Sequence, residues 1–311
     1  MSDLSNPIFT DETKAREWLE ARIWRNGRFC PRCGSVEQST PMRGKTTRPG
    51  LYQCNACREP FTVTVGTLYE RSHLPLHKWL AATHLLMSSK KGISASQVSR
   101  LLGISYKSTW FMMHRVRESL RQINPGQLGG AGKFVEADET YVGGKETNKH
   151  ERKRHPWKNQ SPKEAAFALV ERGGKVRSFH VGKVSGKTIG PILKEQLDKQ
   201  SLVMTDESPI YNRTHKHFAA HETVNHSIKE YVRDGHFHTN SVENYFSILK
   251  RGVIGTYHHI SPQHLKRYLV EFDYRYNERK ALGVDDATRM SKSIGGIVGK
   301  RLTYRRINGQ A

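Results

Sequence analysis

Four cysteines in two short knuckles constrain this chain more than any other feature. Cys30-Pro-Arg-Cys33 and Cys54-Asn-Ala-Cys57 stand twenty residues apart, and no other cysteine occurs among the 311 residues. Two such pairs at about this separation have the spacing of a structural zinc site. Four thiolates complete a tetrahedron and leave no open position, so the metal would hold the fold rather than do chemistry. Gly34 supplies a tight turn after the first knuckle, and Tyr52 and Phe61-Thr-Val-Thr-Val are β-prone runs around the ion. The expectation is a zinc ribbon over residues 26–68, behind a helical lead-in over 1–25, with one Zn²⁺ on Cys30, Cys33, Cys54 and Cys57. Two disulfides would need an oxidising compartment, and MSDLSNPIFTDETKAREWLE lacks the basic start and apolar run of a secretion signal.

Lys and Arg outnumber Asp and Glu by 51 to 29, giving a formal charge of +22 that is spread along the whole length. Such a field attracts polyanions, and nucleic acid is the commonest of them. No apolar run approaches the roughly 18 residues of a membrane span. The chain therefore reads as soluble and cytoplasmic, in a bacterial cell associated with the nucleoid, with no membrane partner.

After Arg71 the run LPLHKWLAATHLLMS carries Leu76, Trp79, Leu80, Thr83 and Leu86 at helical spacing behind Pro75. Two further helical patterns come next. Ser94 caps the first, which would bury Val98, Leu101 and Leu102. Gly103-Ile104-Ser105 makes a turn, and the second runs from Tyr106 to about Arg121. A helix, a Gly-containing turn and a polar second helix read as a helix-turn-helix within residues 69–128. Trp110, Phe111, Met112 and Val116 are taken as core; Lys107, Ser108, His114 and Arg115 are taken as DNA contacts.

From Lys133 onward the pattern becomes mixed. Phe134–Asp138, Ala165–Val170 and Val176–Val181 read as strands, the last two joined by the hairpin turn Arg172-Gly-Gly-Lys175. A helix follows over Lys187–Leu197, then a strand from Leu202 that ends at Asp206. Strand, strand, strand, helix, strand, with acids closing the first and fourth strands, is the order of an RNase H-like sheet. There those two strands lie side by side and the aspartates meet. A helix from about Ser241 carries Val242, Tyr245, Phe246 and Leu249 as its apolar stripe, with Glu243 on the flank. Lys250 lies seven residues on, close to two turns and about 10 Å further along the same face. Two aspartates and a glutamate in a basic chain are what two Mg²⁺ or Mn²⁺ ions for phosphoryl transfer on DNA require. Glu139 and Glu207 should point to the opposite side of their strands. Glu136 shares the face of Asp138 and remains a rival to it.

The segment GGKETNKHERKRHPWKNQSPK is too polar for core, and Arg152, Lys153 and Arg154, with Trp157 nearby, would guide DNA beside the acids. Arg251, next to Lys250, is a further DNA-contact candidate. The histidines at 215, 217, 221, 226, 236 and 238 match no metal motif, and Tyr257-His258-His259 could meet phosphate or pack in its loop. The helix from Gln263 to about Arg279 would bury Leu265, Tyr268, Leu269, Phe272 and Tyr276, with Lys266, Arg267, Arg275 and Arg279 on its charged side. Residues 283–311 read as a basic, Gly-rich tail.

The ribbon, the helical pair and the motifs ADETYVGGK, TDES, HTNSVENYFSILKRGVIGTYHHIS and LKRYLVEFDYRYNER resemble the DDE insertion-sequence transposases with an N-terminal zinc ribbon. The branch most similar is insertion-sequence family fifteen-ninety-five, over roughly residues 10–285. The resemblance implies that Asp138, Asp206 and Glu243 are catalytic metal ligands and that Lys250 accompanies the glutamate. Some members of the branch carry Asn or His for the third acid; this chain keeps Glu243. The fold class expected is multidomain: zinc ribbon, α-helical helix-turn-helix, and an α/β RNase H-like domain over 131–282 with a mixed sheet and flanking helices. The expected activity is metal-dependent cleavage and strand transfer at the ends of an insertion sequence, on double-stranded DNA, by at least a dimer, since two ends must be joined. An RNase H-like nuclease or resolvase, and a non-catalytic DNA-binding protein, are the alternatives.

Overall fold

A computed structural model describes residues 4–144, 150–153, 163–212, 214–224 and 238–303. The chain divides into two compact units, one made of Met1–Arg121 together with Lys280–Ala311, the other of Gln122–Arg279.

The first unit opens with helix α1 (Glu12–Ile23), started by Asp11, whose Oδ1 accepts the Lys14 N–H at 2.8 Å. The ribbon is a three-stranded antiparallel sheet, β1 (Ser39–Pro41), β2 (Tyr52–Cys54) and β3 (Pro60–Phe61), in the order β1-β2-β3. Of the expected Phe61–Val65 strand only the first residue pairs; the rest forms turns, because β2 is just three residues long. The ribbon core is small: Cys30, Cys54 and Phe61, backed by Trp24, Tyr52, Cys57 and Val65. Trp24 meets Tyr52 and Phe61 edge-on at 5.5 and 6.1 Å between ring centroids.

Helix α2 (Leu76–Ser88) is buried on nearly every side, with Trp79 against Tyr69 at 4.3 Å. α3 (Ala95–Leu102) starts at Ser94, whose Oγ accepts the Gln97 N–H at 3.1 Å, and stops at Gly103 in the left-handed region, φ 60°. Ser105 then caps α4 (Tyr106–Ser119). Of the apolar residues expected to be buried on α3, Val98 is, whereas Leu101 is exposed.

The second unit is a five-stranded mixed sheet of β4 (Phe134–Val142), β5 (Glu164–Glu171), β6 (Val176–Val181), β7 (Leu202–Asp206) and β8 (Ala220–Val224). Its order is β6-β5-β4-β7-β8, with β4, β5 and β6 antiparallel and β4, β7 and β8 parallel. The first and fourth strands are neighbours, as the order of elements predicts. Helix α5 (Gly186–Gln196) covers one face through Ile189 and Leu193, together with Phe167, Leu169 and Val203 from the sheet. Helices α6 (Asn240–Gly252) and α7 (Pro262–Asn277) cover the other, where Val242, Tyr245, Phe246, Leu249, Leu269 and Phe272 meet Ala166, Ala168 and Val170.

Several polar residues of the second unit prove structural. Asp273 accepts hydrogen bonds from the Ser178 N–H at 2.8 Å, the Ser178 hydroxyl at 2.7 Å and the Tyr245 hydroxyl at 2.6 Å, and burial pushes its carboxyl up. Asn277 accepts from the Val176 N–H at 2.6 Å and donates to its carbonyl at 2.9 Å, occupying the open edge of β6. Arg275, expected on the charged side of α7, is buried and pairs with buried Glu271, one helical turn away. The Tyr257 hydroxyl also donates to Glu271, so this aromatic packs in its loop rather than facing phosphate.

Residues 280–303 are not the tail that the composition suggests. Helix α8 (Asp286–Gly295) returns to the first unit and buries Arg289, Met290, Ser293 and Ile294 there. Ile297 accepts the Leu68 N–H at 3.0 Å, and Arg289 donates to the Met87 carbonyl at 2.8 Å. Lys300 caps the end of α4 by donating to the carbonyls of Glu118, Ser119 and Arg121 at 3.2, 3.1 and 2.5 Å. At Gly296 a Cβ would lie 2.0 Å from the Ser119 carbonyl oxygen, so glycine is required for this close approach. No described helix is long and apolar enough to cross a membrane.

Candidate active site

The register of two parallel strands builds the site. Phe134 lies beside Leu202, Val135 beside Val203 and Glu136 beside Met204, so each β7 residue sits next to the β4 residue sixty-eight earlier. Continued by two residues, that offset sets Asp206 beside Asp138 on one face of the sheet, because side chains alternate with a period of two. Asp206 closes β7 as expected. Asp138, in contrast, is mid-strand: β4 runs on to Val142 because Glu139–Val142 pair with Glu164–Phe167 of β5. It stands just beyond the β4–β7 ladder, where the sheet opens between the two strands.

That face is the one α6 covers, and Glu243 lies in the first turn of α6. The buried stripe Val242, Tyr245, Phe246 and Leu249 fixes the helix on the sheet and leaves Glu243, Ser247 and Lys250 exposed along its flank. The Thr239 hydroxyl donates to Glu243 Oε1 at 2.9 Å, holding the carboxylate near the helix start. Burial pushes the Asp138 carboxyl up to about 7, and the charges of Glu139, Asp206 and Glu243 push the same way. Carboxylate oxygens such as those of Asp138, Asp206 and Glu243 are the kind of donor a hard divalent metal takes. Among the described residues only the four cysteines form a group of three or more ligand atoms all within 4.8 Å of one another, so the three acids are more loosely spaced than that.

Glu136 has a different task from Asp138. Its side chain is fully buried, and its Oε1 accepts from Arg172 Nε at 2.6 Å, with His238 Nδ1 at 3.3 Å. Its Oε2 accepts the N–H groups of Ser241 and Val242 at 2.7 and 3.0 Å. These N–H groups belong to the first turn of α6 and have no partner within the helix, so a carboxylate there satisfies them and complements the helix dipole. Glu136 thus pins the helix that carries Glu243, and its oxygens are committed to that task. Replacing it with Gln leaves Arg172 without its buried counter-charge, at an expected cost of about 3 kcal/mol. Thermal unfolding of Glu136→Gln checks this, and an unchanged midpoint contradicts it.

Glu139 faces the α5 side as alternation requires, yet it is no bystander. Tyr211 donates to its Oε2 at 2.8 Å, and burial together with the Asp206 charge raises its carboxyl. Nothing in the spacing of Tyr211 marks this contact, whereas the two-residue step from Glu136 to Asp138 does mark Glu136. Glu207 is exposed. His221 joins its Nε2 to the Thr205 hydroxyl at 2.9 Å, a contact that steadies β7.

The expected DNA contacts divide. Lys107 and Ser108 are exposed in the first turn of α4. His114 is instead 1 % exposed and packed on Trp110 at 4.2 Å, so it belongs to the core. Arg115 is engaged in the fold: Nε donates to the Leu302 carbonyl and Nη1 to the Glu70 carbonyl, each at 3.2 Å. Both read as surface from sequence because a polar residue on a helix gives no sign of which side will be covered. Arg152 is exposed, Lys153 ends a short 3₁₀ turn, and Arg251 lies exposed at the end of α6, with Nη2 bonded to the Ser247 hydroxyl at 3.0 Å. Arg154 and Trp157, with His226 and His236, lie outside the described residues. After Arg251 and Gly252 the helix widens into a π-turn, Val253–Tyr257, a form that recurs at functional sites.

The metal centre of the ribbon is compact. Cys30 and Cys57 sulfurs are 3.7 Å apart and those of Cys33 and Cys54 3.6 Å, close to the roughly 3.8 Å edge of a tetrahedron with 2.3 Å Zn–S bonds. The Ser35 hydroxyl, 3.3 Å from Cys33 Sγ, and the Ser35 N–H pull the Cys33 thiol down, while burial and the neighbouring sulfurs push the Cys57 thiol up.

Comparison with known proteins agrees with both parts. Residues 127–277 match the family model described as an ISXO2-like transposase domain, and residues 10–59 match the transposase zinc-ribbon domain. An uncharacterized protein in transposable element ISH50 of Halobacterium salinarum is 28% identical over 278 residues, covering 86% of this chain and 91% of that one. An uncharacterized transposase-like protein of Haemophilus influenzae is 28% identical over 103 residues, 33% of this chain and 81% of its own.

Proposed function

The chain belongs to the IS1595 family of insertion-sequence transposases, and from that premise we propose that it cuts DNA at the ends of an insertion sequence and joins them to a target. The observation that supports this reading is the β4–β7 register, whose offset, continued two residues past Glu136 and Met204, puts Asp138 beside Asp206 on the sheet face covered by the helix bearing Glu243. The three acids are the proposed ligands of two Mg²⁺ or Mn²⁺ ions, on an RNase H-like sheet. When bound, such ions activate a water or 3′-hydroxyl and stabilise the leaving oxygen. Asp138, Asp206 and Glu243 orient that centre, and Lys250, two turns below Glu243, holds a DNA phosphate beside it. Hydrolysis and strand joining are both in-line phosphoryl transfers, so one site serves both.

The helix-turn-helix formed by α3 and α4 presents Lys107 and Ser108 to DNA, with Arg152, Lys153, Arg154 and Arg251 as further phosphate contacts. At least two copies are required to hold two ends, and the place of action is the bacterial nucleoid. The test is an assay on DNA carrying the element ends, with Mn²⁺, for both nicking and joining. Asp206→Asn and Glu243→Gln should each lose several kcal/mol of transition-state stabilisation, about a thousandfold in rate, while still binding DNA. Joining that survives either substitution removes the catalytic assignment. Hydrolysis without joining by the unaltered protein makes it a nuclease.

A further inference from the structure

We propose that the π-turn after α6 is a wedge that opens the DNA stack, with Ile254 entering between two base pairs near the cut. It rests on the strand transfer proposed for the chain and adds an element that shapes the substrate. Ile254 is 73% exposed, more than any other large apolar side chain among the described residues. A lone exposed apolar residue is ordinary on most surfaces. Three features of its setting mark this one out.

The first is position. Glu243, Ser247, Lys250 and Ile254 follow one another at intervals of four, three and four, the spacing of one helical face. At 1.5 Å per residue, Ile254 stands about 16 Å along from Glu243. For DNA lying along this flank, as the roles of Glu243 and Lys250 require, that is close to five base pairs at about 3.4 Å each.

The second is support. Val253 and Tyr257, the two ends of the π-turn, pack on the buried cluster that α6 and α7 share with the sheet. Tyr257 lies edge-on to Tyr268 and Phe272 at 4.7 and 6.3 Å, and its hydroxyl donates to Glu271. Between these anchors Ile254 and Gly255 are exposed, so the tip is presented on a fixed base. His258 then takes φ 57° and ψ −44°, and the His259 N–H donates to the Tyr257 carbonyl at 2.6 Å. This is a γ-turn of the rare, strained form, which persists only where the surroundings enforce it and which gathers at functional sites. Both histidines are exposed.

The third is charge. From Lys250 to Val270 the sequence holds four Lys or Arg, three His and no Asp or Glu. An apolar point in a cationic stretch suits a duplex, whose phosphates meet the cations while a base step receives the isoleucine. Isoleucine is among the side chains that enter base steps, and the cost of unstacking is offset by the contacts that kinked DNA makes. A contact between two copies at this turn would instead set like charges against each other.

The experiment places 2-aminopurine, whose fluorescence rises when it leaves the stack, at single positions along a duplex carrying the element ends. The full chain is added with Ca²⁺ in place of Mn²⁺ so that the DNA stays whole. The unaltered protein should raise the signal severalfold at a position about five base pairs from the cut. Ile254→Ala should lose the rise while keeping its melting midpoint, as a surface substitution does, and the salt dependence of its binding. Ile254→Leu, which keeps an apolar wedge, should retain the rise. A rise that survives in Ile254→Ala overturns the wedge; if that variant also loses self-association, the turn is a contact between copies. No rise with an unaltered protein that cuts and joins these ends in Mn²⁺ overturns the wedge and leaves the strand-transfer reading standing. An unaltered protein that neither cuts nor joins them overturns that reading and the wedge with it.

Discussion

Chelation of zinc is expected to unfold the ribbon, residues 26–68, while Gln122–Arg279 stay folded. The ribbon has little else to hold it. Its sheet is three short strands, and two of its three fully buried core residues, Cys30 and Cys54, are themselves ligands. A structural zinc site of four thiolates contributes about 10–16 kcal/mol of apparent binding free energy, more than so small a core supplies. Once the sulfurs separate, the edge-on packing of Trp24 against Tyr52 and Phe61 has no frame. Hydrogen exchange or limited proteolysis with and without a chelator reads the result directly. Protection should vanish from the knuckles and β1–β3 and persist in the five-stranded sheet. Equal protection with and without metal would mean that the ribbon folds on its apolar contacts alone.

Asp138→Asn should abolish strand transfer and at the same time stabilise the protein. The carboxyl sits at about 7 in the folded chain, against an ordinary value of 3.8. Between those limits the folded state binds more protons than the unfolded state, so stability falls as pH rises from about 4 to about 7 and is level beyond. The full difference is at most about 4 kcal/mol. Asparagine has the same shape and no charge, so the variant should melt up to about 10 °C higher at pH 8 and match the unaltered protein near pH 3. Divalent metal should raise the midpoint of the unaltered protein at pH 8, since a ligand that binds only the folded state stabilises it, and should do far less for the variant. A variant that melts lower at pH 8 would show that Asp138 is a structural anchor. Glu136→Gln has the opposite expected sign, and the pair therefore separates the anchor of α6 from the acid proposed as a metal ligand.

The legible parts of this chain are those encoded by short spacing or by strict alternation. Two CxxC knuckles can close on one ion in few ways, and the run of strand, strand, strand, helix, strand restricts which edges can meet. Charged residues on helices are less legible. Arg275 pairs with Glu271 four residues away and Arg289 with Asp286 three away, but the carbonyls that bury Arg289 and Lys300 lie about two hundred and about one hundred and eighty residues away. Only the short separations are visible as helical spacing. Strand alternation puts Glu136 on the face of Asp138, but the helix N–H groups that claim it come from residues 241 and 242. His114 shows the converse error, a polar residue in a polar helix that tertiary packing covers.

Because α8 completes the first unit, this protein cannot mature in the order in which it is made. The contiguous sheet of Gln122–Arg279 can fold as it leaves the ribosome. The earlier-made residues around Leu68, Met87 and Ser119 must wait until Ile297, Arg289 and Lys300 have been synthesised. A chain interrupted anywhere in the sheet therefore yields an incomplete first unit. A nonsense or frameshift mutation in the five-stranded sheet would not leave behind a finished first unit.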